Sequence, residues 1–458
     1  MSSTTRVLTG QNVVLPGHDR PVPATIIVDK TTGKITDIQL NTAERGAYHG
    51  LRDEDYIDAG SKFIIPGLVD AHVHLNEPGR TEWEGFYTGT RAAASGGITT
   101  VVDMPLNSIP PTTTVENLEI KRAAARGQCW IDVAFWGGVI PGNQADLIPL
   151  VDAGVKGFKC FLIESGVEEF PCVVEQDVAK AMQTLQGKPT VLQFHAELGE
   201  PPSHAEAADP RAYSTYLATR PESLETNAIQ LITSLHAQHP ALRCHIVHLS
   251  ASSALPLVRA AKAAGLNLTV ETCFHYLCLR AADVPHGHAE FKCCPPIRDD
   301  GNREALWAAL RDGTIDMVVS DHSPCVGELK RPDDGNLLKA WGGVSTLGLG
   351  LSALWTEGRK RGVSVVDVVK WMAERTAAHA GLAERKGAIK VGFDADLVVW
   401  DPEAEFTVTK ENLNFKNKLS PYEGMTLAGR VEKTYLRGQL VYDAETRFEG
   451  REPTGVLL

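Results

Sequence analysis

Gly67-Leu-Val-Asp-Ala-His-Val-His74 is a short apolar run that ends in two histidines one residue apart. Side chains alternate along a strand, so positions i and i+2 share a face, and His72 and His74 point the same way at its C-terminal end. Further runs of this kind cover 98–104, 131–136, 155–161, 190–195, 243–248, 267–271 and 315–320, which with 68–74 makes eight. Helical stretches separate them. The clearest are 252–264 and 302–311, and another opens at Arg220-Pro-Glu-Ser with Pro221 close to its first turn. Alternating strands and helices predict a parallel sheet, and eight such units predict an α/β fold of the (β/α)8, TIM-barrel type. An open doubly wound sheet would carry a glycine-rich phosphate loop after its first strand, and neither G-x-G-x-x-G nor G-x-x-x-x-G-K-[ST] occurs.

The two chain ends differ from this middle and resemble each other. Arg6-Val-Leu-Thr-Gly10 and Ala24-Thr-Ile-Ile-Val28 are β-branched runs followed by the turn Asp29-Lys-Thr-Thr-Gly33, and 395–400, 406–409 and 431–441 repeat the style. Residues 1–65 plus 391–458 are therefore expected to form one small β-domain, a β-sandwich, built from both termini, with the barrel over 66–390. Hydrophobic residues make up 43% of the 458 and charged residues 22%, which excludes global disorder. The net charge of -12 argues against nucleic acid or an anionic membrane as partner. No apolar run approaches the roughly 18 residues of a membrane span, and the first 17 residues have no signal-peptide pattern. The nine cysteines contain no C-x-x-C pair and read as reduced thiols, so an intracellular, cytoplasmic location is expected. An organellar location stays open, although the C-terminal Gly455-Val-Leu-Leu458 is no peroxisomal signal.

Catalytic groups of a barrel sit at the C-terminal ends of its strands. There the sequence places His72 and His74, Lys159, His195, His248 and Asp321. Neutral imidazoles and a carboxylate suit divalent zinc and similar ions. Lys159 is flanked by Phe158 and Cys160, and an unpaired ammonium in an apolar wall tends to lose its proton. A neutral amine adds carbon dioxide to give a carbamate, an anion suited to bridging two metals; two metals together lower the pKa of a shared water. The competing histidines fit less well. His286-Gly-His288 lies in a loop after Pro285; His245 is out of phase with His248, and His322 points away from Asp321. His275 is either close to the substrate or structural; His18, His49, His204, His236, His239 and His379 read as surface or capping residues. The thiols read as core residues or bystanders, since none falls at a strand end with ligand spacing.

These residues sit in motifs that resemble the amidohydrolase superfamily in its cyclic-amidase branch: Gly67-Leu-Val-Asp-Ala-His-Val-His74, Gly157-Phe-Lys159, His195-Ala-Glu197, Val247-His-Leu-Ser250 and Ser320-Asp-His-Ser-Pro324. Gly392-Phe-Asp-Ala-Asp-Leu-Val-Val-Trp400 resembles that family's return into its small β-domain. Within the branch, the string 74–86, Met104-Pro-Leu-Asn-Ser108 and Ala340-Trp-Gly-Gly343 are most similar to the allantoinases. The resemblance implies that His72, His74 and Asp321 bind one divalent metal, expected to be zinc, that His195 and His248 bind a second, and that N6-carboxylated Lys159 bridges them. It implies opening of the allantoin ring to allantoate by a metal-bridged hydroxide, Asp321 carrying the proton, and a homo-oligomer, suggested to be a tetramer. A non-catalytic scaffold relative would not need the full ligand set.

The rival activities are dihydroorotase and hydantoinase or dihydropyrimidinase. Dihydroorotases usually carry an arginine two positions after the second histidine, to pair with the substrate carboxylate; here that position is Asn76, which suits a neutral ureide. Asn107, Cys294, Ser323 and Gly342 are further expected substrate contacts, Cys294 standing in Cys293-Cys-Pro-Pro-Ile-Arg298 where serine is common in the family.

Overall fold

The computed structural model describes residues 4–200 and 208–458. His204 lies outside the described residues. Five N-terminal strands come first: β1 (Thr5–Val13), β2 (Val22–Asp29), β3 (Lys34–Gln39), β4 (Tyr56–Asp58) and β5 (Phe63–Pro66). The barrel strands follow as β6 (Leu68–Val73), β7 (Ile98–Asp103), β8 (Asp132–Phe135), β9 (Gly137–Gly138), β10 (Phe158–Phe161), β11 (Val191–His195), β12 (Arg243–Ile246), β13 (Leu268–Cys273) and β14 (Met317–Val319). The chain ends through β15 (Leu397–Thr407), β16 (Thr426–Leu436) and β17 (Gln439–Asp443).

Strands β6, β7 and β8 pair in parallel, as do β9 to β14 in sequence order. Because β8 and β9 are one path interrupted at Trp136, the described residues form an eight-membered ring. Its closing seam joins β6 to the end of β14. His74 N–H donates to His322 O at 2.9 Å, Val73 bridges His322, and the buried Asp70 carboxylate accepts from the main chain of both His72 and Ser320. Parallel strands covered on both sides need apolar residues throughout, and every residue of β6 and β7 is buried. Helices carry their own stops and starts. Thr114 accepts from Asn117 N to cap Val115–Ala125, and Asp299 caps Asp300–Asp312, which ends at Gly313 with φ of 80°.

The terminal strands form an eight-stranded sheet in the order β17-β16-β15-β5-β1-β2-β3, with β4 against β1. Antiparallel pairing of Leu397 with Pro66 joins the two ends of the chain directly. This sheet has its own apolar core, with Leu8, Ile26, Val28, Ile64, Leu397 and Val399 among its members. One buried cation ties it to the barrel. Lys386 Nζ lies 2.6 Å from Asp132 in β8, 2.6 Å from Asp396 and 3.0 Å from Asp394. Burial opposes its charge, but the three carboxylates outweigh burial and hold its pKa above the usual lysine value. Without Lys386, Asp394 keeps Lys34 and Arg385 and Asp132 keeps Arg437, but Asp396 is left buried with no cation, at a cost of about 3–5 kcal/mol. Lys386→Met is therefore expected to lose about that much in chemical denaturation; a loss below about 1 kcal/mol, the worth of a surface pair, would show that the cluster does not fasten the two parts.

Candidate metal centre and active site

Six candidate residues reach one mouth of the barrel from strands and from the turns that leave them. His72 is in β6 and His74 just beyond it, Lys159 is in β10, and His195 ends β11. His248 and Asp321 each sit two residues past their strands. Their backbones there are left-handed, with φ of 38° and 44°, and Asn76 and Asn107 take 64° and 67°. Side chains other than glycine avoid that region, which is held where the surroundings over-determine it. The other described non-glycine residues with positive φ are Arg331, Arg437 and Arg447, so most of this strain is concentrated around the barrel mouth.

The six side chains meet. Asp321 Oδ1 lies 3.1 Å from His72 Nε2 and 3.4 Å from His74 Nε2, and these three residues offer ligand atoms within 4.8 Å of one another. Beside them His195 Nδ1 faces His248 Nε2 at 3.0 Å, and the His72 and His248 rings are 5.4 Å apart. Lys159 is 1% exposed; its amine lies 5.0 Å from the Phe161 ring centre, with no hydrogen bond or ion pair to any described residue. Burial pushes its pKa down to about 8.

A second set of residues aims the rings. Glu271 Oε1 accepts from His72 Nδ1 at 2.5 Å while its Oε2 accepts from His245 at 3.1 Å. Glu197 Oε2 accepts from His195 Nε2 at 2.7 Å and pairs with Arg220. The Asn107 amide lies 3.3 Å from His74 Nδ1. Fixing one ring nitrogen in this way turns the other toward the centre.

Charge follows from burial and neighbours. Burial holds His195 and His248 well below the usual histidine pKa and puts His74 at about 4, so these rings are neutral donors. Burial disfavours charge on His72 too, but Asp321 and Glu271 outweigh it and raise its pKa to about 9. Asp321 is disfavoured by burial but held well below the usual carboxylate range by His72 and its neighbours. Neutral imidazoles, an ionised carboxylate and an unpartnered amine around a spot that favours positive charge are a donor set that fits divalent metal.

A cavity of about 300 Å³ opens over these six residues, and Asn107, Cys294, Ser323 and Gly342 line it as well. Gly342 has to be small: a Cβ there would meet Cys294 Sγ at 2.8 Å. Trp341 and its neighbours form one wall. Two buried lysines hold this segment by its carbonyls, Lys292 Nζ reaching Leu338 O at 3.2 Å and Ala340 O at 2.6 Å, and Lys330 reaching Trp341 O at 3.0 Å and Gly343 O.

Several expectations need correction. Asn76 does not line the cavity: it is buried and its amide donates to Pro324 O at 3.4 Å. Arg220, which the sequence reading passed over, does line it. His379 is not a surface residue but a buried one, 3.9 Å from the His245 ring and bonded to Gln193; His236 is buried as well and bonds Leu242 O. Cys273 does end a strand, because β13 runs two residues further than expected, and its sulfur lies within 4.8 Å of ligand atoms of His275 and Asp321. His286 and His288 are exposed and bond Asp209 and Glu290, away from the site. The sequence reading gave Glu197 and Glu271 no role; the signal for them was a carboxylate just past or within an apolar strand run, Glu197 two residues beyond His195 and Glu271 inside β13.

Residues 63–441 match the Amidohydrolase family. The chain belongs to that family. It is 49% identical to an allantoinase of Saccharomyces cerevisiae, covering 95% of each chain, and 50% identical to an allantoinase of Streptomyces avermitilis, covering 100% of this chain and 99% of the other. Among solved structures, the L-hydantoinase (dihydropyrimidinase) of Arthrobacter aurescens superposes with a TM-score of 0.90 at 29% identity, over 98% of both chains. That relative has the barrel and small β-domain arrangement expected from the sequence, so the fold class holds for this amidohydrolase. Among the described residues no helix is long and apolar enough to cross a membrane.

Orientation by Glu271 has a measurable consequence. Partners that aim metal-binding histidines are worth about 10–100-fold in metal affinity. Glu271→Gln is expected to weaken metal retention by about that factor in a chelator competition titration; unchanged retention would mean that the His72 ring is aimed by something else.

Proposed function

We propose that this chain is an allantoinase, hydrolysing the cyclic amide of the hydantoin ring of allantoin to give allantoate. The observation that carries the reading is a full donor set at the mouth of a barrel whose whole length is about half identical to allantoinases. In this reading His72, His74 and Asp321 hold one divalent ion, zinc in expectation, His195 and His248 hold the other, and Lys159, as its carbamate, lies between them. When bound, such a pair polarises the ring carbonyl and makes hydroxide available at neutral pH.

The protein's own groups do the rest. Asp321 is ionised and at the cavity wall, so it can accept the proton of the attacking water and return it to the leaving ring nitrogen. Asn107 and Glu271 keep the neighbouring imidazoles aimed while that happens. The segment around Trp341, held by Lys292 and Lys330, forms one wall of the cavity. The choice of allantoin over a carboxylate-bearing ring rests on the similarity to allantoinases and not on Asn76, since Asn76 is not among the residues lining the cavity and the Arg220 cation is. A homotetramer and a cytoplasmic location belong to the same proposal; nine free thiols support a reducing compartment.

Ring opening of allantoin, dihydroorotate and dihydrouracil on one purified sample tests the substrate. The highest kcat/KM is expected for allantoin, and a higher value for either other compound would replace this reading with dihydroorotase or dihydropyrimidinase. For the proton carrier, Asp321→Asn keeps the size of the side chain and one ligand oxygen. It is expected to lower kcat by roughly 10²–10⁴-fold while the ion at His195 and His248 is retained. Near-normal turnover at full metal occupancy would contradict the role.

A further inference from the structure

His275 stands apart from every other histidine described. Both of its ring nitrogens are buried without a hydrogen-bond partner among the described residues. It belongs to the short helix Phe274–Cys278 that follows β13, is 0% exposed, and packs edge-on against Tyr276 with ring centres 4.2 Å apart. One of its nitrogens, an Asp321 carboxylate oxygen and Cys273 Sγ all lie within 4.8 Å of one another. The ring makes no direct hydrogen bond to Asp321 among the described residues, so the gap is longer than a hydrogen bond and no more than 4.8 Å. It matches two polar atoms bridged by one water at about 2.8 Å from each. Buried polar groups left unpaired by the protein are where ordered waters are found.

The polarity of the two ends agrees. An imidazole carries at least one ring N–H in either protonation state, so His275 has a donor to offer. The Asp321 carboxylate offers acceptor oxygens. We propose that His275 is a positioning residue for Asp321, acting through one buried water that accepts from the ring N–H and donates to the carboxylate. Asp321 Oδ1 is already approached by His72 and His74. An additional donor from the His275 side fixes the rotation of the carboxylate, and with it the direction in which its proton is delivered. This proposal rests on the proton-carrying role of Asp321; the bridging water itself does not.

A high-resolution crystal structure of the metal-loaded enzyme, with His275→Phe and His275→Gln variants, tests it. The expected result is a water within hydrogen-bond distance of both a His275 ring nitrogen and Asp321 in the wild type, absent in His275→Phe. That variant is expected to keep its metal content and its KM for allantoin within about twofold, to lose kcat roughly tenfold, and to shift the acid limb of its kcat profile. His275→Gln, which retains a donor, is expected to recover part of kcat. A dry contact or a metal ion between the ring and Asp321, or an unchanged kcat and pH profile in His275→Phe, would overturn the proposal. If His275→Phe does not fold, the wild-type density and the glutamine variant decide. Failure of the allantoinase reading looks different: the wild type would not open allantoin, whatever the density at His275.

Discussion

An amine buried in the wall of a barrel without a hydrogen bond or ion pair is the constraint on which the rest of this structure depends. Lys159 lies in a β-strand between two parallel neighbours, and its amine is 5.0 Å from the centre of the Phe161 ring. An ammonium there would be poorly solvated, and burial accordingly brings its pKa down toward neutrality. Around it stand His74, His195 and His248, whose imidazoles burial keeps neutral, and Asp321, which stays ionised. None of these groups satisfies the amine. The arrangement becomes favourable once the amine is an anion shared between cations, which is what the proposed carbamate and metal pair supply.

Such a centre demands precision that loops alone do not give. The barrel supplies it in two layers. Strand ends and tight left-handed turns set the positions of His72, His74, His195, His248 and Asp321, and the buried carboxylates Glu271 and Glu197 then set the rotation of the rings. The closing seam of the barrel, where Asp70 accepts from His72 and Ser320, brings the first and last of these strands together. Without that seam Asp321 would not meet His72 at 3.1 Å. The small sheet made from both termini lies outside this machinery, and the Lys386 cluster couples it to the barrel through Asp132.

Much of this was legible in the sequence because parallel strands buried on both faces leave a simple signal. Each of the eight apolar runs corresponds to barrel strand in the structure, and the six residues read as metal ligands meet at one mouth. The two β-rich ends were readable from composition for a similar reason. Strand phase was a less reliable guide past the ends of the strands. His245 and His248 were separated by phase as though both lay in one strand, but β12 stops at Ile246 and His248 is turned by its left-handed backbone. Asn76 was read from its position after the second histidine; its backbone has φ of 64° and its amide reaches Pro324 O, and it is not among the residues lining the cavity. Contacts between distant segments were beyond any local pattern. The stacking of His379 on His245, Arg220 in the cavity wall, and the grip of Lys292 and Lys330 on the Trp341 segment depend on how the chain is wound.

The central claim is that Lys159 is present as a carbamate shared by two metals. The mass of the intact protein, measured under native conditions from a neutral buffer containing bicarbonate, tests it most directly when followed by peptide mapping at Lys159. The account predicts two divalent ions per chain together with the mass of one carboxyl group on Lys159, all released together by mild acid. Two bound ions with an unmodified Lys159 amine would contradict it.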